Sequence, residues 1–358
     1  MGSSEFFGLA TIGYIVAMMF YITYLVIKNK TIGIIGTTIT VASFVSHTAA
    51  FILRWVESYQ LGMGRAPLTN LFESLTFFVW CLILGYLIIE ITYKTRSFGA
   101  FITPIAGMAL GFIELSGISK DIEPLMPALQ SNWLLAHVMM SFISYSAFAL
   151  SFATAMMYLI LKTKDKKEPF YIFWILACGM FFIVLAGMAI DFIQFKLITK
   201  TSGELITNFL FKATFRAESP FVVITSWLVS IIFILGLWQY GYILRNTIEY
   251  FKISEKVLED LTYKTITIGF PIFTLGGLIF GAVWADQAWG VYWSWDPKET
   301  WSLITWLIYA FFLHTRYIAG WRGNRIAAVA VSGFIAVIFT YLGVNLFLSG
   351  LHSYGGMK

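Results

Sequence analysis

Residues 6–27 read FFGLATIGYIVAMMFYITYLVI, and what is made of this stretch decides the fold. As a secretory signal it would be removed from the mature protein. It lacks the basic start and the small-residue cleavage pattern of a signal. Its 22 residues, rising about 1.5 Å each, are long enough to cross a hydrocarbon core of about 30 Å. The stretch is therefore expected to be a retained first membrane helix.

Working outward, similar runs recur about ten times in the 358 residues, near 6–27, 31–53, 70–92, 98–115, 132–161, 170–191, 221–244, 265–285, 299–318 and 324–348. Apolar residues make up 59% of the chain and charged residues 12%, a balance that a water-facing surface does not tolerate, so lipid is the solvent. The expected fold is all-α, a single integral membrane domain over 1–358 built as a polytopic bundle of about 8–10 spans.

Lys and Arg set the expected orientation. Fifteen lie in the connections at 28–30, 93–97, 162–168, 245–264 and 316–325, and nine on the opposite side, four of those in the long segment 192–220. The positive-inside rule makes the richer side cytoplasmic and places both termini outside. Segment 249–262, EYFKISEKVLEDLT, is expected to rest as an amphipathic helix on the cytoplasmic surface.

Composition excludes several chemistries. Cys81 and Cys178 lie far apart in apolar runs, so the chain assembles no CxxC redox pair, zinc knuckle or disulfide framework. A net charge of +5 without a polybasic block interleaved with aromatics gives nucleic-acid binding no support.

The unusual residues sit in the outer connections. Residues 284–301, WADQAWGVYWSWDPKETW, hold five of the chain's 13 tryptophans, Trp284, Trp289, Trp293, Trp295 and Trp301. An interfacial belt uses one or two such rings per helix end. This cluster, packed with Gly290, Tyr292 and two aspartates into one loop, fits a flat apolar platform for a planar conjugated ligand, and haem has that shape. Asp296, Pro297 and Glu299 stand at N-cap, N1 and N3 of the next helix, so part of the motif is helix initiation. The same helix start, with Lys298 beside it, would favour an anion such as a haem propionate.

There are four histidines. His137, at the start of the fifth span, and His352, just past the last, both come to the depth of the tryptophan loop, as two axial haem ligands would. A hydrogen-bonded helix-end histidine is the bland alternative for either. His314 falls about 22 Å below the outer start of its helix and His47 only about 9 Å from the outer end of its own. That difference of depth stops the two from clamping one iron. His314 is expected to ligate a second, deeper haem, and His47 is equally well a packing residue.

The motif WGVYWSWDPKETW resembles the tryptophan-rich WWD signature of haem-handling membrane proteins, more narrowly that of the CcsA/ResC family of system II cytochrome c biogenesis. HVMMSFISY from His137, LHTR at His314, GLHSYG around His352 and RAPLTNLFESL from Arg65 to Leu75 are similar to that family's flanking motifs, so the likeness spans nearly the whole chain. It implies that His137 and His352 are the external ligands of a haem b that is cargo, and that His314 is one transmembrane ligand. It implies further that Trp284, Trp289, Trp293, Trp295 and Asp296 belong to the binding loop. The implied partners are a CcsB/ResB-type subunit, which carries the remaining transmembrane ligand, and apocytochrome c. With that subunit the chain would form part of a holocytochrome c synthase of a bacterial cytoplasmic membrane, its site on the external, periplasmic face. No residue of this chain is expected to be catalytic, because the attacking thiols belong to the apocytochrome. Ten spans exceed the family's usual eight or so, the surplus lying between about 162 and 247. Two other classes use related features: a b-type cytochrome subunit, which places two histidines on each of two helices, and a transporter of a non-haem aromatic solute.

Overall fold

The computed structural model describes residues 2–94, 96–116, 120–122, 129–192 and 220–344. Among them the chain is all-helical, with ten helices. We label them α1 (Ser3–Ile27), α2 (Lys30–Gln60), α3 (Leu71–Tyr93), α4 (Gly99–Ser116), α5 (Asn132–Lys162), α6 (Pro169–Phe192), α7 (Pro220–Tyr250), α8 (Glu255–Trp289), α9 (Pro297–Tyr317) and α10 (Asn324–Gly343). Seven of the ten, α1, α2, α3, α5, α7, α8 and α10, are long and apolar enough in their described parts to cross a membrane. The protein is a polytopic helical membrane protein.

Short polar residues start four of the helices, three of them where a span was expected to begin and the fourth, α8, ten residues before the expected start at 265. Asn29, Asn70, Ser131 and Ser254 each accept a backbone N–H of the following first turn, supplying an acceptor that a helix start lacks. Lys28 and Lys94 end α1 and α3 in the left-handed region.

At the centre stands α5, buried from Ser141 to Leu161 apart from Ile143 and Ala147 and packed against α3, α8 and α10. It meets α8 through small residues. A Cβ on Gly269 would lie 3.0 Å from the Phe148 ring, and one on Gly276 would lie 2.2 Å from Met140 Cβ, so the two backbones approach as closely as glycine permits. Two polar clusters close the ends of the α1–α4 group. Glu90 of α3 accepts from Tyr21, Tyr86 and Thr37 and pairs with Arg96 at 3.4 Å. Toward the other end, Arg54 Nε donates to Glu73 Oε1 at 2.6 Å while its Nη1 and Nη2 reach the carbonyls of Lys120 and Asp121.

The structure divides the charged segment 249–262. α7 runs to Tyr250, a turn with Lys252 at φ +52° follows, and Glu255 opens α8, which continues to Trp289. Residues 255–262 are thus the first turns of a long helix. Leu258, Leu261 and Thr262 are buried, and Thr154 of α5 bonds Thr262 at 2.8 Å, so packing against α5 holds this segment in the bundle.

Candidate functional site

α8 is interrupted between Thr274 and Phe280 by a π-helical turn, three residues after Pro271, which lacks an N–H to continue the regular ladder. A second π turn, Phe339–Gly343, lies in α10. The two flank the start of α9: Trp306 Nε1 donates to Thr274 Oγ1 at 2.9 Å, and the Thr305 and Thr340 hydroxyls bond at 2.9 Å. Trp301 lies 4.1 Å from Phe339, centroid to centroid.

Against the first π turn lies His137, half-buried on α5. Its Nδ1 is 2.7 Å from the carbonyl oxygen of Gly276. A carbonyl only accepts, so Nδ1 carries the proton and the neutral ring keeps its lone pair on Nε2, the tautomer of a metal-binding imidazole with a carbonyl behind it. A Cβ at Gly281 would stand 2.9 Å from the ring, so α8 offers this histidine a bare backbone surface.

The Trp segment folds over the same place. Asp296 caps α9 with Oδ1 accepting the Lys298 N–H at 2.9 Å, Pro297 follows it, and the Glu299 carboxylate reaches back to Asp296 N at 3.3 Å and Ser294 N at 2.7 Å. The capping box read from the sequence is present, and it also ties the loop down. Buried Asp296 therefore has a structural task within the motif. Ser131 Oγ donates to Gln287 at 3.0 Å, joining the start of α5 to the end of α8.

His137, Trp284, Tyr292, Trp293, Lys298 and Ser302 line one cleft, floored by Gly277 and Gly281. Its volume is about 60 Å³. That admits the edge of a porphyrin and not the whole ring, so a haem there would lie across the mouth or part the walls. The tryptophans do not form the flat platform the sequence suggested. Trp284 and Trp289 meet at 73°, and Trp293 and Trp295 at 86°, so the rings stand edge to face and make walls. Trp284 is buried, whereas Trp295, at φ +59°, exposes 69% of its surface. Lys298 is half-buried, and desolvation pushes its ammonium down to about 8 against the opposing pull of Asp296.

The remaining histidines fall elsewhere. His314 is exposed on the outward surface of α9 near its last turn. Both lipid and core are apolar, so the sequence of α9 does not reveal which way that residue points. His47 is buried between α1 and α2, stacked on Phe51 with Tyr14 Oη 3.3 Å from Nδ1, which is a packing environment. His352 lies outside the described residues. The sequence reading missed the Gly276 carbonyl and Gly281. Their signal is the small-residue spacing of Gly276, Gly277 and Gly281, the kind that lets membrane helices approach closely.

A helical membrane bundle with a tryptophan-walled cleft around a carbonyl-held histidine defines a class of polytopic membrane protein. Residues 68–352 match the family described as Cytochrome C assembly protein, and the chain belongs to that family. It is similar to the cytochrome c biogenesis protein CcsA of Gloeobacter violaceus, 36% identical over 90% of this chain and 87% of that one. The CcsA proteins of Guillardia theta and Marchantia polymorpha are 36% and 35% identical over 92% and 96% of this chain, and over 89% and 93% of their own.

Proposed function

We propose that this protein carries haem in cytochrome c biogenesis and presents it at the tryptophan-walled cleft, on the external face of a bacterial cytoplasmic membrane, for covalent attachment to an apocytochrome. The single observation that carries the reading is His137, whose Nδ1 is committed to the Gly276 carbonyl in a cleft shared with Trp284, Trp293 and Lys298. Such backing orients an axial imidazole and raises its basicity. Trp284 and Trp293 contact the porphyrin edge, while Trp289 braces Trp284 and Trp295 covers the mouth. Asp296 holds the loop and Lys298 meets a propionate. His352 supplies the opposite axial ligand.

In attachment, the sulfur of each apocytochrome CxxCH thiol bonds to a vinyl carbon and the thiol hydrogen goes to the other vinyl carbon, so no residue of this chain need be the nucleophile. The chain's work is to bind, orient and shield the haem, which is haem b until that step. It performs the synthase reaction jointly with a CcsB/ResB-type subunit. The outward position of His314 supports a deeper haem whose second ligand comes from that subunit, since an imidazole facing lipid alone is costly.

The test is the oxidised and reduced visible spectrum of the purified protein with its partner, beside His137→Ala and His352→Ala. Split low-spin b-type bands, lost or converted to high spin in the variants, are expected. A colourless wild type from haem-replete cells would overturn the reading.

A further inference from the structure

At the end of α9 opposite the tryptophan loop, about 30 Å away along a 21-residue helix, lies a second and larger cleft. Its volume is about 490 Å³, and it opens between the end of α5, the start of α6 and the α9–α10 turn. Lys162, Arg322 and Arg325 give it three cations, Tyr158, Phe170 and Trp321 give it aromatic walls, and no acidic residue lines it. Lys162 is paired with Glu255 at 2.8 Å, and Arg322 is turned toward the carbonyls of Arg316 and Trp321 and lies 4.0 Å from the Glu259 carboxylate. Arg325 stacks over the Trp321 ring at 5.9 Å.

Two further features belong to this cleft. α10 begins there on Gly323, at φ +73°, with no side-chain cap, so no capping side chain occupies its first amides. The Asn324 Oδ1 is buried without a hydrogen-bond partner; as an acceptor it takes a hydroxyl or protonated acid oxygen of a ligand and does not hold the anionic oxygens themselves. Apolar surface continues from the rim: Tyr317 and Ile318 expose 77% and 73%, and Trp321 packs edge-on to Phe311 of the outer α9 face.

We infer that this cleft binds an anionic amphiphile, with a carboxylate or phosphate among Arg322, Arg325, Lys162 and the α10 amides and an apolar body along Trp321 and the α9 surface. Two molecules of a membrane carry that chemistry, the propionate edge of a haem and the phosphate of an acidic phospholipid. The site is separate from the tryptophan-walled cleft and stands whether or not that cleft holds haem.

The experiment uses the full chain carrying His137→Ala, which disables the other cleft, in nanodiscs of phosphatidylcholine. Haemin, haemin dimethyl ester and phosphatidylglycerol are titrated against this protein and against the same protein with Arg322→Gln/Arg325→Gln. The double substitution is expected to weaken haemin or phosphatidylglycerol by about tenfold or more and to leave the dimethyl ester unchanged. Loss confined to haemin identifies the source as porphyrin, and loss confined to phosphatidylglycerol identifies it as lipid. Arg322→Lys/Arg325→Lys is expected to retain binding. Should the Gln pair fail to fold, Lys162→Gln on α5 is read in the same way. Equal affinity of both anionic probes for substituted and unsubstituted protein overturns the inference, as does an equal loss for the dimethyl ester.

Discussion

At the scale of single residues, the ring of His137 is set by two glycines. A methyl at Gly281 would meet Nδ1 and Cε1 at 2.9 Å, so Gly281→Ala must displace the imidazole or α8. We expect the bond to the Gly276 carbonyl to weaken, at a cost of about 1–3 kcal/mol in stability. In the haem-loaded protein the reduction potential should rise as the imidazole becomes less basic. A redox titration beside a thermal melt checks both, and an unchanged potential would remove the carbonyl from the account. Lys298 predicts a pH dependence. With its ammonium pushed down to about 8, the residue is charged below that value and loses its proton above it. Haem affinity should therefore be flat below pH 8 and fall as pH rises further, while Lys298→Arg, charged throughout, should keep the plateau. Titration of haemin and of its dimethyl ester across pH 6–10, on the order of one-unit steps, separates this from changes in axial ligation.

At the scale of elements, helix starts hold the site and its neighbours in place. Asp296→Ala removes the cap of α9 and should cost about 0.5–2 kcal/mol, seen in thermal unfolding, with haem binding weakened because the same box ties down the tryptophan loop. At α3 the residues of RAPLTNLFESL have a similar logic. Glu73 accepts from Thr69 N and Oγ1 at 2.7 and 2.8 Å, its own N–H meets Asn70 Oδ1 at 2.8 Å, and Arg54 completes it from α2. Both partners of that pair are about 2% exposed. Arg54→Ala leaves a buried carboxylate uncompensated and should destabilise by about 3–5 kcal/mol, whereas Arg54→Leu with Glu73→Gln should recover much of that. A double-mutant cycle in detergent measures the difference.

At the scale of the molecule, α5 is the buried post around which the other helices stand, while α7 and the outer face of α9 lie at the periphery. His314 is on that periphery. His314→Ala should change the stability of the isolated chain by no more than about 0.5 kcal/mol, yet lower the haem content of the complex with the partner subunit. Equal haem in both complexes would count against the deeper site.

The residues read alone were enough for the solvent, the polytopic all-helical class, the cap of α9 and the family. Each of these is written in local composition: runs of apolar residues, and a tryptophan motif with Asp296, Pro297 and Glu299 at fixed offsets. Only the tertiary structure decided which way a residue faces. In lipid both the core and the outside of the bundle are apolar, so no stripe of polarity marks His314 as outward or His47 as inward. The π turn of α8, the Gly276 carbonyl behind His137 and the edge-to-face tryptophans likewise arise where α5, α8 and α9 press together. Backbone geometry there answers to packing between segments more than a hundred residues apart in sequence, as His137 and Gly276 are, and no local window contains it.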